Sequence, residues 1–555
     1  MEKQGTILKD KEKAMSLKHR LLFLLIFFHS VFAYSQPVIL WQKSLGGSES
    51  DVAYSIKQTS DSGYIVAGYT ESNDSDVTVY HGNRDYWIVK LNNTGSIQWQ
   101  KSFGGTDIDA PHEIHQTMDG GFIVAGYSIS NDIDVTGNHG QEDYWIVKLN
   151  SSGILQWEKS LGGSNEDRAY SVYQTNDGGY IVAGSVKSID GDITFHHGGI
   201  AVQNDFWIVR LDSVGTILWQ KSLGGGSMDI AYSIQQTTDG GFIVAGSTNS
   251  ADGDVTGFHG TTTYADVWVV KLNNTGVIQW QKALGGTRND YAYYIRQTTD
   301  GGYIVAGNSS SNDGDVTLHW GSFVDSDVWI VKLDSIGAIT WQKTFGGTDT
   351  DISNIVIQTS DGGYIVAGYT SSSDGDLTGL HGINFDYDYW IIKMDASGNM
   401  QWQKLVGGTS NDVARSIVQT YDQSYIVAGY SSSVNGHVTA SNGNGDFWVV
   451  KLSSLTETSE IPKENLNFNV YPNPFSYETS VSFPVSISLK VTAEIRNLTG
   501  QLIKSLNTDE INTGANRIRW DASDNEGNIV SDGIYILDIY SENYFESKKI
   551  VVLRN

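Results

Sequence analysis

Carboxylates at a short, repeated spacing are the first residues here whose chemistry asks for an explanation. An Asp-x-Asp pair, followed by an aliphatic residue and Thr, recurs six times. The pairs are Asp74 and Asp76, Asp132 and Asp134, Asp190 and Asp192, Asp252 and Asp254, Asp313 and Asp315, and Asp374 and Asp376. A seventh position reads Asn435-Gly436-His437. Two carboxylates two residues apart on a flexible loop are the oxygen ligands that Ca²⁺ takes. The same pair also suits an Asx-type turn, whose carboxylates accept backbone N–H groups. The motif lacks the further acidic positions of a full calcium loop. Both readings stand, and Ca²⁺ is the one cofactor the sequence suggests.

A histidine follows five of the six pairs, at His81, His139, His197, His259 and His381, with Trp320 after the remaining pair and Asn442 in the seventh repeat. One such residue per repeat is too dispersed for a shared metal, so local hydrogen bonding is expected. Two aspartates occur in all seven repeats: Asp51, Asp109, Asp167, Asp229, Asp290, Asp351 and Asp412, then Asp85, Asp143, Asp205, Asp266, Asp327, Asp388 and Asp446. Paired carboxylates can hydrolyse glycosides. A catalytic site is single and asymmetric, however, whereas sevenfold repetition argues for a polar tie at each junction, where a buried carboxylate must find donors. The better candidates break the symmetry: Tyr80, Arg84, His112 and Glu113 (Tyr-Ser in three other repeats), Glu142, Phe195, Phe258, Arg288 and Trp320. All are expected on one loop-rich face. Aromatics beside carboxylates and Arg suit sugar recognition by stacking and hydrogen bonding; the plainer reading is scattered surface residues. No Ser-His-Asp order, phosphate-cradling Gly loop or His-Glu-x-x-His is present.

The elements that must position these residues come from one repeated unit. Its outer Trp recurs at Trp41, Trp99, Trp157, Trp219, Trp280, Trp341 and Trp402. A sustained period of this size means an array, solenoid or propeller. Each unit predicts four strands. The first is Ala53–Thr59, closed by Asp61-Ser62-Gly63, or by Asp-Gly-Gly in most copies, which is hairpin chemistry. The second, Tyr64–Gly68, is continuously apolar, as for a strand covered on both faces. The third, Tyr86–Leu91, turns through Asn92-Asn93-Thr94-Gly95 into a fourth with one buried face. Burial that falls outward suits a radial blade. The fourth strand is out of phase. One copy, Val38–Lys43, stands alone at the start, and the last unit stops after Phe447–Leu452. The sequence therefore predicts an all-β, seven-bladed β-propeller over residues 36–452, its N-terminal strand closing the last blade and leaving no exposed edge.

At 555 residues the chain is too long for one core. Residues 1–35 read as a signal peptide, with a short apolar run at Leu21–Ala33 and a start at Met1 or Met15. The absence of Cys excludes thiolate metal sites, thiol nucleophiles and redox work. A net charge of −27 repels phosphate backbones and argues against nucleic-acid partners. It is read as a solubility device before a cation-binding one. Residues 453–465 form a polar linker, and 466–555 a smaller alternating-strand unit that suits a β-sandwich.

Two resemblances follow. The blade order, a strand ending in Gly68, Gly126 or Gly184, then an aromatic-centred strand, then a Trp strand, resembles the kelch-like β-propellers. Here the glycine doublet follows the Trp strand, at Gly46-Gly47 and Gly104-Gly105. The C-terminal unit is similar to the type A sorting domain of the Bacteroidetes type IX secretion system. The resemblance rests on Tyr471-Pro472-Asn473-Pro474-Phe475, Trp520-Asp521 with Gly527, Ser531-Asp532-Gly533-Ile534-Tyr535 and Lys548-Lys549-Ile550. It implies a partner in that machinery, export across the outer membrane, and release or surface attachment. A secreted or cell-surface binding or adhesion propeller for a glycan or protein is the leading expectation. The alternative is a polysaccharide-acting hydrolase of endoglucanase type, since similar repeat and sorting-domain pairings are grouped with such enzymes.

Overall fold

The computed structural model describes residues 36–454, except 198–202, 323, 378 and 382–385. It also describes residues 469–554, except 486–491, 498–501, 507–513 and 542–543. Residues 1–35, expected to be a signal peptide, and most of the expected linker 453–465 lie outside the described residues. The chain divides into two compact units, Met1–Leu455 and Thr456–Asn555. Among the described residues every regular element is a strand. No helix is long and apolar enough to cross a membrane.

The first unit consists of seven four-stranded antiparallel sheets. In the first sheet the strands are Asp51–Gln58, Tyr64–Thr70, Asp85–Leu91 and Ile97–Phe103, paired in that order. The second and third are buried along their whole length, whereas Ile97–Phe103 is largely open to solvent. The apolar YIVAG and YWIVKL runs form these strands because β-branched and aromatic side chains pack well on a pleated, covered surface. Between neighbouring sheets lies a hydrophobic core. Ile65, Ala67, Tyr86 and Ile88 of the first sheet, for example, interdigitate with Ile114, Val124, Trp145 and Val147 of the second. Truncating a tryptophan buried as completely as Trp145 costs roughly 3–5 kcal/mol. These cores carry the stability that disulfides cannot supply in a cysteine-free chain.

The seventh sheet contains the two ends of the unit. Ile39–Leu45 pairs antiparallel with Asp446–Leu452, in a register that sets Lys43 opposite Val449 and Ser44 opposite Trp448. The buried Trp448 indole N–H donates to Gln42 Oε1 at 2.8 Å. Trp87 makes the same bond to Gln100 within its own sheet, at 2.9 Å. The innermost strand Asp412–Gln419 in turn contacts Asp51–Gln58. A shared core joins Ile426, Ala428 and Phe447 to Ala53, Val66 and Trp87. The out-of-phase strand thus fills the place its sequence predicts.

The second unit has a three-stranded sheet (Asn469–Tyr471, Thr479–Val485, Gly514–Trp520) and a four-stranded one (Leu502–Ser505, Thr492–Asn497, Gly533–Ser541, Tyr544–Val552). Phe475, Trp520 and Tyr535, residues of the sorting motifs, lie in one core with Val481, Leu537 and Ile550. Asn473 clasps the last strand, accepting from Val551 N at 2.8 Å and donating to Lys549 O at 2.9 Å. The short motifs are therefore the packing and clasp residues of this unit.

Candidate ligand-binding site

Every innermost strand of the first unit is broken at one position. In Asp51–Gln58, Ala53 pairs with Gly68 and Ser55 with Ala67, so Tyr54 is bulged out of register. The six other innermost strands repeat the bulge, leaving out His112, Tyr170, Tyr232, Tyr293, Asn354 and Arg415. A bulge re-aims the side chain it displaces. Here all seven displaced side chains line one central cavity of about 260 Å³. Glycine opposite the bulge is a packing requirement. A Cβ on Gly68 would lie 2.0 Å from Val52 O, and one on Gly126 2.1 Å from Ala110 O.

Five of the seven side chains are rings and form an aromatic arc. Neighbouring centroids are 5.0 Å apart for Tyr54 and His112, 4.8 Å for His112 and Tyr170, 5.1 Å for Tyr170 and Tyr232, and 5.3 Å for Tyr232 and Tyr293. Asn354 is tied to Ala414 O by its side-chain N–H at 2.7 Å. Arg415 sits with its guanidinium 5.6 Å from the Tyr54 ring centroid. Burial, seconded by Arg168 and Arg415, pushes the His112 ring down to about 3. It is therefore neutral at physiological pH, and its Nε2 is buried without a hydrogen-bond partner.

One residue along the strand from His112, Glu113 occupies a position that is Ser in four of the other repeats. It accepts from Ser171 Oγ at 2.6 Å and Val172 N at 3.2 Å. Its other oxygen meets His115 Nε2 at 2.9 Å, Arg296 Nη2 at 3.2 Å and Lys57 Nζ at 3.5 Å. Burial alone would raise this carboxyl. His115, Lys57 and Arg296 overcome that and hold it well below the usual carboxylate range. Glu113 is an anion locked among cations, and among the described residues it is the only carboxylate lining the cavity.

The structure moves His112 and Glu113 from their expected place. They lie on the innermost strand and face the cavity rather than the loop-rich face, because the bulge turns this stretch toward the axis. The other symmetry-breaking residues are dispersed. Arg84 stacks over Tyr69 at 3.9 Å and pairs with Glu71, and Tyr80 lies half-buried in the same loop. Glu142 pairs with Arg168. Phe195 is exposed with its ring edge on His197. Phe258 packs against its sheet's core. Arg288 donates to Tyr264 Oη at 2.9 Å. Trp320 is partly exposed and gives its backbone N–H to Asp327. Tyr54, Tyr170, Tyr232, Tyr293, Asn354 and Arg415 escaped the sequence reading. The signal was available, since they stand three residues after the aspartate that opens each unit.

The repeated carboxylates have local partners. Asp74 Oδ1 accepts the Ser48 N–H at 2.8 Å, and Asp76 Oδ2 the Gly46 N–H at 3.3 Å. Asp132, Asp190, Asp252, Asp313 and Asp374 accept the equivalent N–H groups at 2.7–2.8 Å. Asp134, Asp192, Asp254, Asp315 and Asp376 do likewise at 3.2–3.4 Å. Among the described residues no three His, Asp or Glu side chains converge as metal ligands. The two sevenfold aspartates are fully buried at each junction. Asp109 Oδ2 accepts from Gly105 N and Ser130 Oγ, and Asp85 Oδ2 from the backbone and ring of His81. Gly104 lies between them; a Cβ there would stand 2.5 Å from Asp109 and 2.8 Å from Asp85. Burial outweighs these donors and lifts Asp85 and Asp109 to about 6. In the fifth repeat the ring contact comes from His319 rather than from position 320.

Comparison with known proteins adds the C-terminal identity. Residues 469–553 match the family described as secretion system C-terminal sorting domain. The chain is 23% identical over 394 residues to the regulatory protein FlaEY of Caulobacter vibrioides, covering 65% of this chain and 40% of that one. It is 21% identical over 548 residues to an uncharacterized WD repeat-containing protein of Acanthamoeba polyphaga mimivirus, covering 76% and 39%. It thus spans about two fifths of the length of these curated relatives. A solved structure of PorZ, an essential surface component of the type IX secretion system of Porphyromonas gingivalis, is 11% identical. That likeness covers 93% of this chain and 75% of that one, with a TM-score of 0.28. None of these likenesses brings an activity to this chain. The repeated four-stranded sheets make the first unit a protein of β-propeller type. The tail at 469–553 is a sorting domain of the type IX secretion system, which marks the chain for the cell surface or beyond.

Proposed function

We propose that the seven sheets are the blades of one closed, kelch-like propeller, followed by a β-sandwich sorting domain. On this reading the exported protein is a non-enzymatic binding or adhesion module whose central cavity receives part of a glycan or protein ligand. One observation carries this reading. The bulge repeats in all seven innermost strands, and the side chains it presents, four Tyr with His112, Asn354 and Arg415, bring five aromatic rings and one guanidinium to one cavity. Aromatic walls with a few fixed polar groups are the usual make-up of a ligand pocket. Hydrolysis by two carboxylates needs a second acid within about 5–10 Å of the first. Glu113 is the single carboxylate of the lining among the described residues, and its cation shell removes it from proton transfer. The Asp-x-Asp carboxylates are read as loop clasps rather than calcium ligands.

The test is to apply the mature protein to a glycan array and to a panel of β-glucans with reducing-end detection. Retention without turnover is expected. Reducing-end release abolished by Glu113→Gln would replace this reading with the hydrolase.

A further inference from the structure

The charges around the cavity run against those of the chain. Lys57 and Arg415 line it, Arg296 reaches Glu113 from beside it, and Glu113 is the one anion of the lining among the described residues. Three cations against one carboxylate leave the centre positive by two charges, in a protein with a net charge of −27. Low-dielectric walls lined by one sign of charge focus the field on a ligand of the opposite sign.

These cations differ in how far they are engaged. Arg296 donates to Ile295 O at 2.8 Å, Ser233 Oγ at 3.1 Å and Glu113 at 3.2 Å. Lys57 reaches Glu113. Arg415 has no hydrogen-bond or ion-pair partner among the described residues. Its Nε is buried and unpaired, and its guanidinium lies over the Tyr54 face, near enough to Tyr369 and Tyr430 to act on their hydroxyls. Nearby, His112 Nε2 is the second buried polar atom without a partner. A guanidinium kept without an acceptor beside a row of rings is half of a recognition pair. A carboxylate completes it with two parallel N–H···O bonds, and a ring attached to that carboxylate would stack on the neighbouring aromatic faces.

We propose that the central cavity takes a small ring-bearing monocarboxylate, its carboxylate on Arg415 and its ring against Tyr54, His112 and Tyr170. Sugar acids and aromatic acids share this chemistry. The inference rests on the binding reading above and names the ligand class of that same cavity. A neutral sugar would leave Arg415 desolvated and unpaired, and a dianion would bring the second charge against Glu113.

Isothermal titration of the mature full-length protein tests it with four probes: galacturonate, 4-hydroxybenzoate, galactose and 4-hydroxybenzyl alcohol. At least one acid is expected to bind at least tenfold more tightly than its neutral counterpart, and the acid that wins identifies the ring. Arg415→Met should weaken that acid at least tenfold, while Arg415→Lys, which keeps the charge, should retain more of the affinity. Melting curves of both variants establish that they are folded. If Arg415→Met does not fold, the same charge is read in the wild type, where raising NaCl should weaken the acid and leave the neutral probes unchanged. Equal binding of acid and neutral probe, or undiminished binding by folded Arg415→Met, would overturn the anionic ligand class while leaving the binding reading in place. Absence of heat with all four probes would overturn it too, and array retention then decides the broader reading separately.

Discussion

Replacing Asp351 by Asn should stabilise the protein at alkaline pH and do little at acid pH. Asp351 is fully buried, and burial is the largest influence on its carboxyl. The donors Thr370, Gly347 and Ser372 only partly offset that burial, and Asp327 adds to it, lifting the group from 3.8 to about 7. A Cβ placed on Gly346 would be 2.6 Å from an oxygen of each of these two aspartates, so the carboxylates share one small space. A folded-state pKa above the unfolded one means that the fold holds the proton more tightly. The associated stability is fully present below about 3.8 and is lost as pH rises through about 7. A displacement of about three pKa units corresponds to roughly 4 kcal/mol. With an unfolding entropy of about 2.1 cal/mol/K per residue, a unit of roughly 400 residues shifts by about 1 °C per kcal/mol. Asn is a neutral isostere of the protonated acid and can give its N–H to Asp327. Scanning calorimetry of Asp351→Asn and wild type at pH 4 and pH 8.5 should show a Tm difference about 4 °C more favourable to the variant at pH 8.5. Comparing variant with wild type cancels groups of opposite sign, such as His112. A flat difference, or one that favours wild type as pH rises, would refute the argument that burial dominates these junctions.

Three further outcomes are expected. Gln42→Met removes the acceptor of the buried Trp448 indole and should cost about 1–3 kcal/mol in denaturant melts. Gln342→Met, which strips Trp329 inside the fifth sheet, should cost the same to within about 0.5 kcal/mol; a neutral Gln42→Met beside a costly Gln342→Met would demote the first strand to a loose edge. Gly126→Ala drives a methyl into Ala110 O and Pro111 Cα and should cost at least about 1–3 kcal/mol; a melt within about 0.5 kcal/mol of wild type would mean the bulge is not rigid. Melting temperatures in EDTA and in millimolar CaCl₂ should coincide, since the Asp-x-Asp oxygens already accept loop N–H groups. A calcium-dependent rise would return the ion to those loops.

The architecture was legible because its signals are local and redundant. The outer Trp fixes the period, the apolar YIVAG and YWIVKL runs mark the covered strands, and the stranded copy Val38–Lys43 announces the closure. The first strand begins at Asp51, two residues before the Ala53 that the alternation predicts. Asp51 looks like loop chemistry, yet its backbone pairs with Thr70. The cavity was harder to see. An alternating pattern assigns faces by counting twos, and one bulged residue resets the count, so the alternation alone does not bring Tyr54 and its equivalents to one cavity. His112 and Glu113 stood out as asymmetric but could not be placed. Asp74 was ambiguous because its partner, Ser48 N–H, sits on a different loop, and only the fold brings them to 2.8 Å. The imidazole of the fifth repeat had moved one position along, to His319, which no fixed spacing anticipates.

Pairing of the first strand with the last sheet underlies the cavity and everything assigned to it. The cysteine-free chain lets it be measured directly, with Lys43→Cys combined with Val449→Cys. These residues face each other across antiparallel strands, where Cα atoms about 4.5–5.5 Å apart fall within disulfide range. Oxidation should give a monomer that migrates faster on a non-reducing gel and reverts with reductant. A chain that stays reduced, or cross-links only between molecules, would mean the first strand does not complete the last sheet.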